Sequence, residues 1–228
     1  MESTVEIIDT LIDGLRVTSK VTNVSVNGTT YIFTVEDLLN IAVKDEIIFS
    51  EISLKDVHII TEINQNNKTF SVVSKTDLSA VTEWKSASPY YLYGTPNIVN
   101  EWLKLINKSR GLFVLLFTPI SEPKDMNIES SIERNASLEM YFMKYIPAEN
   151  WLSKEHNSLL ENINSVVSDF LQLIKESYKF AYLNDVAIID HRDWGTFLKD
   201  KGYTDRILDQ KFSGVQLNLT LPIKQQCQ

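Results

Sequence analysis

Apolar residues in this chain recur at two periods, and the switches between them mark its elements. Val5, Ile8, Leu11, Ile12 and Leu15 form a helical stripe, with Ser3 or Thr4 placed to cap it. From Val17 the pattern turns β-branched. Val17 to Val26 and Thr29 to Val35 read as strands around Asn27-Gly28, a dipeptide that tolerates positive φ and so predicts a hairpin turn. Glu46 to Phe49, Val57 to Ile63 and Lys68 to Val73 continue the series, the last two joined by the polar run Asn64-Gln65-Asn66-Asn67. Short strands packed this closely over Lys20 to Val81 predict a small barrel or sandwich. Ser79 to Pro89 reads as the connection back to a main body.

The helical period returns over Pro96 to Lys108. Thr95 is its cap, Ile98, Trp102, Leu105 and Ile106 its apolar face, and Glu101, Lys104 and Lys108 the opposite face. Leu112 to Phe117 is an unbroken apolar run, too short for an ordinary buried helix, and predicts a strand covered on both faces. A polar loop, Ser121 to Asn135, leads to a half-exposed strand over Ala136 to Ile146. Its Leu138, Met140 and Phe142 point one way, and Glu139, Tyr141 and Met143 the other. Ser153 then caps the longest helix, in which Leu159, Ile163, Val166, Phe170 and Leu173 form a stripe widened by Leu160, Val167 and Ile174. A stripe of that width suits packing across a sheet better than a coiled-coil seam. A strand over Leu183 to Asp190 follows, then a polar connection from His191 to Lys211 with a short helix around Asp205 to Gln210. Last comes an alternating strand over Val215 to Ile223.

These patterns predict an α+β fold in which an antiparallel sheet packs on a long helix, with a small all-β barrel or sandwich near the N-terminus. The expected units are an N-terminal helix (1–19) joined to the main body, a β-rich domain (20–82) and an α+β domain (83–228).

Composition narrows the classes. At 43% hydrophobic and 23% charged residues the chain resembles ordinary globular proteins. A net charge of −8, without clustered Lys or Arg, argues against a general nucleic-acid binder. An acidic surface is still compatible with DNA that slides past without sticking. One cysteine, Cys227, excludes an intramolecular disulfide and a cysteine-based zinc site. The first residues lack the pattern of a signal peptide, and no run reaches the roughly 20 apolar residues of a membrane span.

Candidate chemistry is sparse. His58 and His156 have no companions at ligand spacing and read as surface or cap histidines. Asp190-His191-Arg192-Asp193 is the stretch that most resembles a catalytic or metal-binding cluster. Neighbours on an extended chain point to opposite sides, however, so Asp190 and His191 would not converge. A nuclease pattern with Glu-x-Lys on a strand fails, because Tyr141 stands where Glu139 would need a lysine two residues on. No nucleophile elbow, phosphate loop or dinucleotide fingerprint occurs in a chain with only 7 glycines. The run Pro89-Tyr90-Tyr91-Leu92-Tyr93 suits a protein interface better than a stacking platform for bases or sugars. The sequence points away from an enzyme and calls for no catalytic residue, metal ligand or cofactor. One alternative is a metal-dependent phosphate or nucleic-acid processing enzyme using Asp190, His191 and Asp193. The other is a monomeric ligand-binding module whose small β domain grips a peptide or sugar through Tyr90, Tyr91 and Tyr93.

Trp102 to Pro119, Leu138 to Met143, the helix Leu159 to Tyr178 and the closing Phe212 to Ile223 give the order helix, apolar strand, long loop, strand, long helix, late strands. Across residues 90–224 this order resembles the tail-terminator fold of the head-to-tail neck and ring proteins of tailed bacteriophages. The peptide Phe212-Ser213-Gly214-Val215-Gln216-Leu217 resembles those of crAss-like phages in particular. The resemblance implies a virion structural protein, assembled in the host cytoplasm, whose copies form a homo-oligomeric ring joining head to tail. Its partners would be copies of itself and other neck, portal or tail proteins. Genomic DNA would pass through the lumen without specific binding, and no membrane is involved. Within the resemblance no residue is catalytic, and the β-rich segment is an addition to the minimal pattern.

Overall fold

The computed structural model describes residues 3–36, 38, 45–50, 57–105, 111–118, 120, 133–145, 153–180, 183–194, 196–199, 203–206 and 212–224. Among these residues it is a mixed α+β protein, mostly sheet, with three helices and a closed six-stranded antiparallel barrel. The chain divides into two compact units, one of Met1–Leu15 with Tyr90–Gln228 and one of Arg16–Pro89.

The second unit is the barrel, formed by β1 (Thr18–Asn27), β2 (Thr30–Val35), β3 (Glu46–Phe49), β4 (His58–Asn64), β5 (Thr69–Val73) and β6 (Glu83–Ser86) in the order β1-β2-β5-β4-β3-β6. Closure comes from β6, whose Lys85 and Trp84 pair with Thr18 and Ser19 of β1, so Glu83–Ser86 is a barrel strand and not a connection. Inside, Phe33 stacks near Phe49 and Phe70 at centroid distances of 4.9 and 5.1 Å. Trp84 meets Phe70 edge-on at 5.5 Å. The first hairpin differs from expectation by one residue. Asn27 pairs with Thr30, so the two-residue loop is Gly28-Thr29, with Gly28 at φ 63° as the first position of a II′-type turn demands.

In the other unit, α1 (Thr4–Gly14) begins in a full capping box: the Ser3 hydroxyl accepts from the Glu6 amide while Glu6 accepts from the Ser3 amide. Those bonds, the backbone one foremost, hold the Glu6 carboxyl below its usual range. A depressed folded pKa means the contribution is present in full above the ordinary glutamate range and is lost as pH falls from there through the lowered folded value. Ser3→Ala removes the hydroxyl but keeps the Ser3 amide. It is therefore expected to lower the urea midpoint at all pH values, with only the part due to the hydroxyl–Glu6 bond fading as Glu6 protonates.

The main sheet holds β7 (Tyr90–Gly94), β8 (Leu112–Phe117), β9 (Glu133–Tyr145), β10 (Asn184–Trp194) and β13 (Phe212–Lys224), in the order β10-β13-β9-β8-β7. Between β10 and β13 in sequence lies a two-stranded hairpin, β11 (Thr196–Lys199) and β12 (Tyr203–Arg206). Strand therefore occupies Asp205 and Arg206, where a short helix was expected, and the rest of that predicted helix lies outside the described residues. So do 121–132 of the polar loop and Cys227.

The sheet is not wholly antiparallel, as β7 runs parallel to β8, with Leu92 opposite Leu115. A parallel pair needs a crossover, and α2 (Pro96–Leu105) falls in the connection between them. Buried on one side of the sheet are Val114, Leu116, Leu138, Met140, Phe142, Val215, Leu217, Leu219 and Leu221. They share a cluster with Ile7, Ile8 and Ile12 of α1 and with Ile163, Val167, Phe170 and Ile174 of α3 (Ser153–Glu176). On the other side Phe113, Leu115, Tyr141, Met143 and Phe212 cluster with Val99 and Leu103 of α2. Strand β9 is consequently covered on both faces over Met140–Met143 and is not half-exposed there.

That second cluster overturns the predicted face of α2. Val99 and Leu103 are buried, whereas Ile98 and Trp102 are 49% and 54% exposed. Helical spacing groups residues by face but does not say which face meets the core. Ile106 and Lys108 and the side chain of Leu105 lie outside the described residues.

Candidate interaction surfaces

Strand order brings together residues far apart in sequence on the open part of the α2-side face of the main sheet. Register places Asn218 of β13 opposite Glu139 of β9, and Gln216 opposite Tyr141. His191 of β10 pairs with Gly214, one position along on the same face. The Gln216 amide is held at every edge. Its nitrogen donates to Glu139 Oε1 at 2.9 Å and to Asn218 Oδ1 at 3.1 Å, while its oxygen accepts from His191 Nε2 at 2.7 Å. That arrangement puts the imidazole proton on Nε2. The Tyr141 hydroxyl also donates to Glu139 Oε1, and its ring lies 6.2 Å from that of His191. Beside this network a shallow groove of about 550 Å³ is lined by Phe117, Thr118, Ser137, Leu138, Glu139, Gln216 and Asn218.

Strand β10 holds Asp190 as expected and extends through Trp194, so His191-Arg192-Asp193 also lies within a strand and not in a polar connection. Asp190 pairs with Val215, whose side chain belongs to the opposite cluster, and accepts from Asn164 Nδ2 of α3 at 3.4 Å. Asp190 and His191 thus face opposite sides, as alternation requires. The side chain of Asp193 lies outside the described residues. Among the described residues no three His, Cys, Asp or Glu side chains gather as a cluster able to hold a metal ion.

His58 and His156, expected at the surface or in a cap, are both buried. His58 sits against Phe49 in the barrel, with ring centroids 5.2 Å apart. A lone histidine in an apolar strand carries no signal that separates a core position from a surface one.

The tyrosine run forms β7 and belongs to the α+β unit, not to the barrel. Its members do not make one platform. Tyr90 stacks on Phe113 at 5.5 Å on the α2 side, while Tyr91 packs against the α1–α3 cluster with Tyr93 beside it at 5.7 Å. Burial first, then the charge of Asp9, pushes the Tyr91 phenol up, so it stays protonated. Its hydroxyl has no hydrogen-bond partner among the described residues.

Two surfaces escaped the sequence reading. One is the polar groove, whose parts are separated by up to 101 positions (117 to 218) and meet only through strand order. The other is the outer edge of β10, which among the described residues pairs with β13 alone. There Val186, Ile188 and Ile189 are 37%, 48% and 44% exposed. Because Ile188 and Ile189 alternate, both faces of this edge strand present apolar side chains.

Compared with protein-family profiles, with curated proteins and with solved structures, the chain matches none.

Proposed function

We propose that this protein is a non-enzymatic structural component of a phage virion whose copies close into a ring at the neck, joining head to tail around the DNA channel. The observation that carries self-association is the β10 edge. Proteins guard exposed edge strands with charge, proline, bulges or a covering element, because free N–H and C=O groups template pairing with another chain. Strand β10 carries such guards at its ends, in register irregularities at Asn184–Ala187 and His191–Trp194 and in the charged run from Asp190. Between them Val186, Ile188 and Ile189 stand exposed, which fits a central stretch that is covered in the assembled state. The sheet's other end strand, β7, pairs only with β8 among the described residues. Two unlike edges suit a head-to-tail contact, which yields a ring when the rotation closes. In this reading α3 laid over the sheet makes each subunit a rigid wedge. The net charge of −8 suits a lumen that repels phosphate. Placement in the neck rests on the resemblance in element order.

Light scattering or native mass spectrometry over a concentration series, with negative-stain images, tests the proposal. The expected result is a closed ring of uniform size, alone or templated by phage particles that lack this protein. Ile188→Lys, a charge on the exposed edge, is expected to leave a folded monomer that no longer incorporates. A parent protein that stays monomeric and fails to join such particles would overturn it.

A further inference from the structure

We infer that the polar groove on the α2-side face of the main sheet is a receptor for one arginine side chain presented by a partner polypeptide; this does not depend on the ring. Glu139 lies at its centre. Asn218 is directly opposite on one side. On the other side is Phe117, one residue beyond the last paired position of β8 and β9, Leu116 with Met140. The carboxylate accepts both of its hydrogen bonds, from Tyr141 and Gln216, on Oε1. Among the described residues Oε2 has no partner, and no Lys or Arg side chain pairs with Glu139.

This carboxylate is held in place before any ligand arrives. Gln216 is fixed by three contacts, and Tyr141 is braced by Phe117 at 5.5 Å and by His191. Pre-positioning removes part of the ordering cost that makes most exposed ion pairs worth little. A planar guanidinium fits the surroundings better than an ammonium. Its fork can reach a carboxylate oxygen and a neighbouring hydroxyl together, and its face can lie against an aromatic ring. Ser137, on the same face two residues before Glu139, and Thr118 supply the hydroxyls, and Phe117 the ring. A bare phosphate or carboxylate ligand would meet the Glu139 charge with no cation among the described lining residues to offset it.

The test is saturation-transfer NMR on the full chain, with Nα-acetyl-arginine amide as probe and the citrulline analogue, equal in shape but uncharged, as comparison. The arginine probe is expected to bind saturably in the millimolar range and the citrulline probe at least about tenfold more weakly, the worth of a charge-assisted hydrogen bond. Glu139→Gln should weaken arginine binding about tenfold. Glu161→Gln, which removes the same charge from the exposed side of α3, should change it by less than about twofold at physiological salt. Equal binding of the two probes, equal loss in the two variants, or no saturable transfer would each overturn the inference. Should Glu139→Gln fail to fold, the comparison of the two probes on the parent protein decides alone.

Discussion

Gly214→Ala is expected to abolish cooperative unfolding of the α+β unit, or to cost about 3 kcal/mol, the upper end for overpacking a buried site, if the unit still folds. Gly214 is buried near the start of β13, between His191 of β10 and Met143 of β9. A Cβ there would lie 2.0 Å from the Phe142 carbonyl oxygen, 2.8 Å from Met143 Sδ and 2.9 Å from Met143 Cα. Two of those three atoms are backbone, so no rotamer change relieves the clash and the strands must separate. Their separation would also pull Gln216 away from Glu139 and His191. Gly28 is the useful contrast. It needs its positive φ, but a Cβ there meets nothing within 4 Å, so Gly28→Ala carries only the local left-handed penalty of about 1–2 kcal/mol. Urea unfolding followed by far-UV circular dichroism separates the two. A Gly214→Ala protein as stable as its parent would show that β9 and β13 are not paired in the register described.

Phe170→Ala is expected to lower stability by about 4 kcal/mol, within the range for deleting a buried aromatic side chain. Phe170 has no exposed surface and stands 5.5 Å, ring to ring, from Phe142 in the cluster shared by α1, α3 and three strands. The cavity would be bounded by side chains from several elements, which cannot all relax into it. Phe170→Leu keeps most of the volume and is expected to cost less than half as much. A loss below about 1 kcal/mol for Phe170→Ala in urea would mean that α3 does not lie against this cluster.

The parts of this fold legible in the sequence are those whose pattern is set by one neighbour. Alternation in Val215–Ile223 separates Leu217 and Leu219 from Gln216 and Asn218 because each strand face meets one environment. Ser3 and Glu6 announce a helix start because a capping box is local. What was hidden depends on strand order. Helix α2 has two apolar stripes, and which one is buried is settled by where β7 and β8 place it. The parallel β7–β8 pair has no turn signature to betray it. The polar residues that made 191–193 look like a connection are tolerated in β10 because, among the described residues, it is an edge strand. The Glu139–Gln216–His191 network was invisible for the same reason, since its members sit on three strands joined by long connections.

Barrel closure through β6 has a consequence for how the chain reaches its native state. Thr18 of β1 pairs with Lys85 of β6, so the two strands at the ends of residues 16–89 are neighbours, about 4.8 Å apart. Helix α1 must join a cluster whose other members all lie beyond residue 89. While the intervening segment is unstructured, that docking closes a long flexible loop. Once the barrel has formed, the same two ends are held side by side, and the entropic cost of bringing α1 home falls. Barrel closure before α1 docking is thus the entropically cheaper order, set by the pairing of two strands.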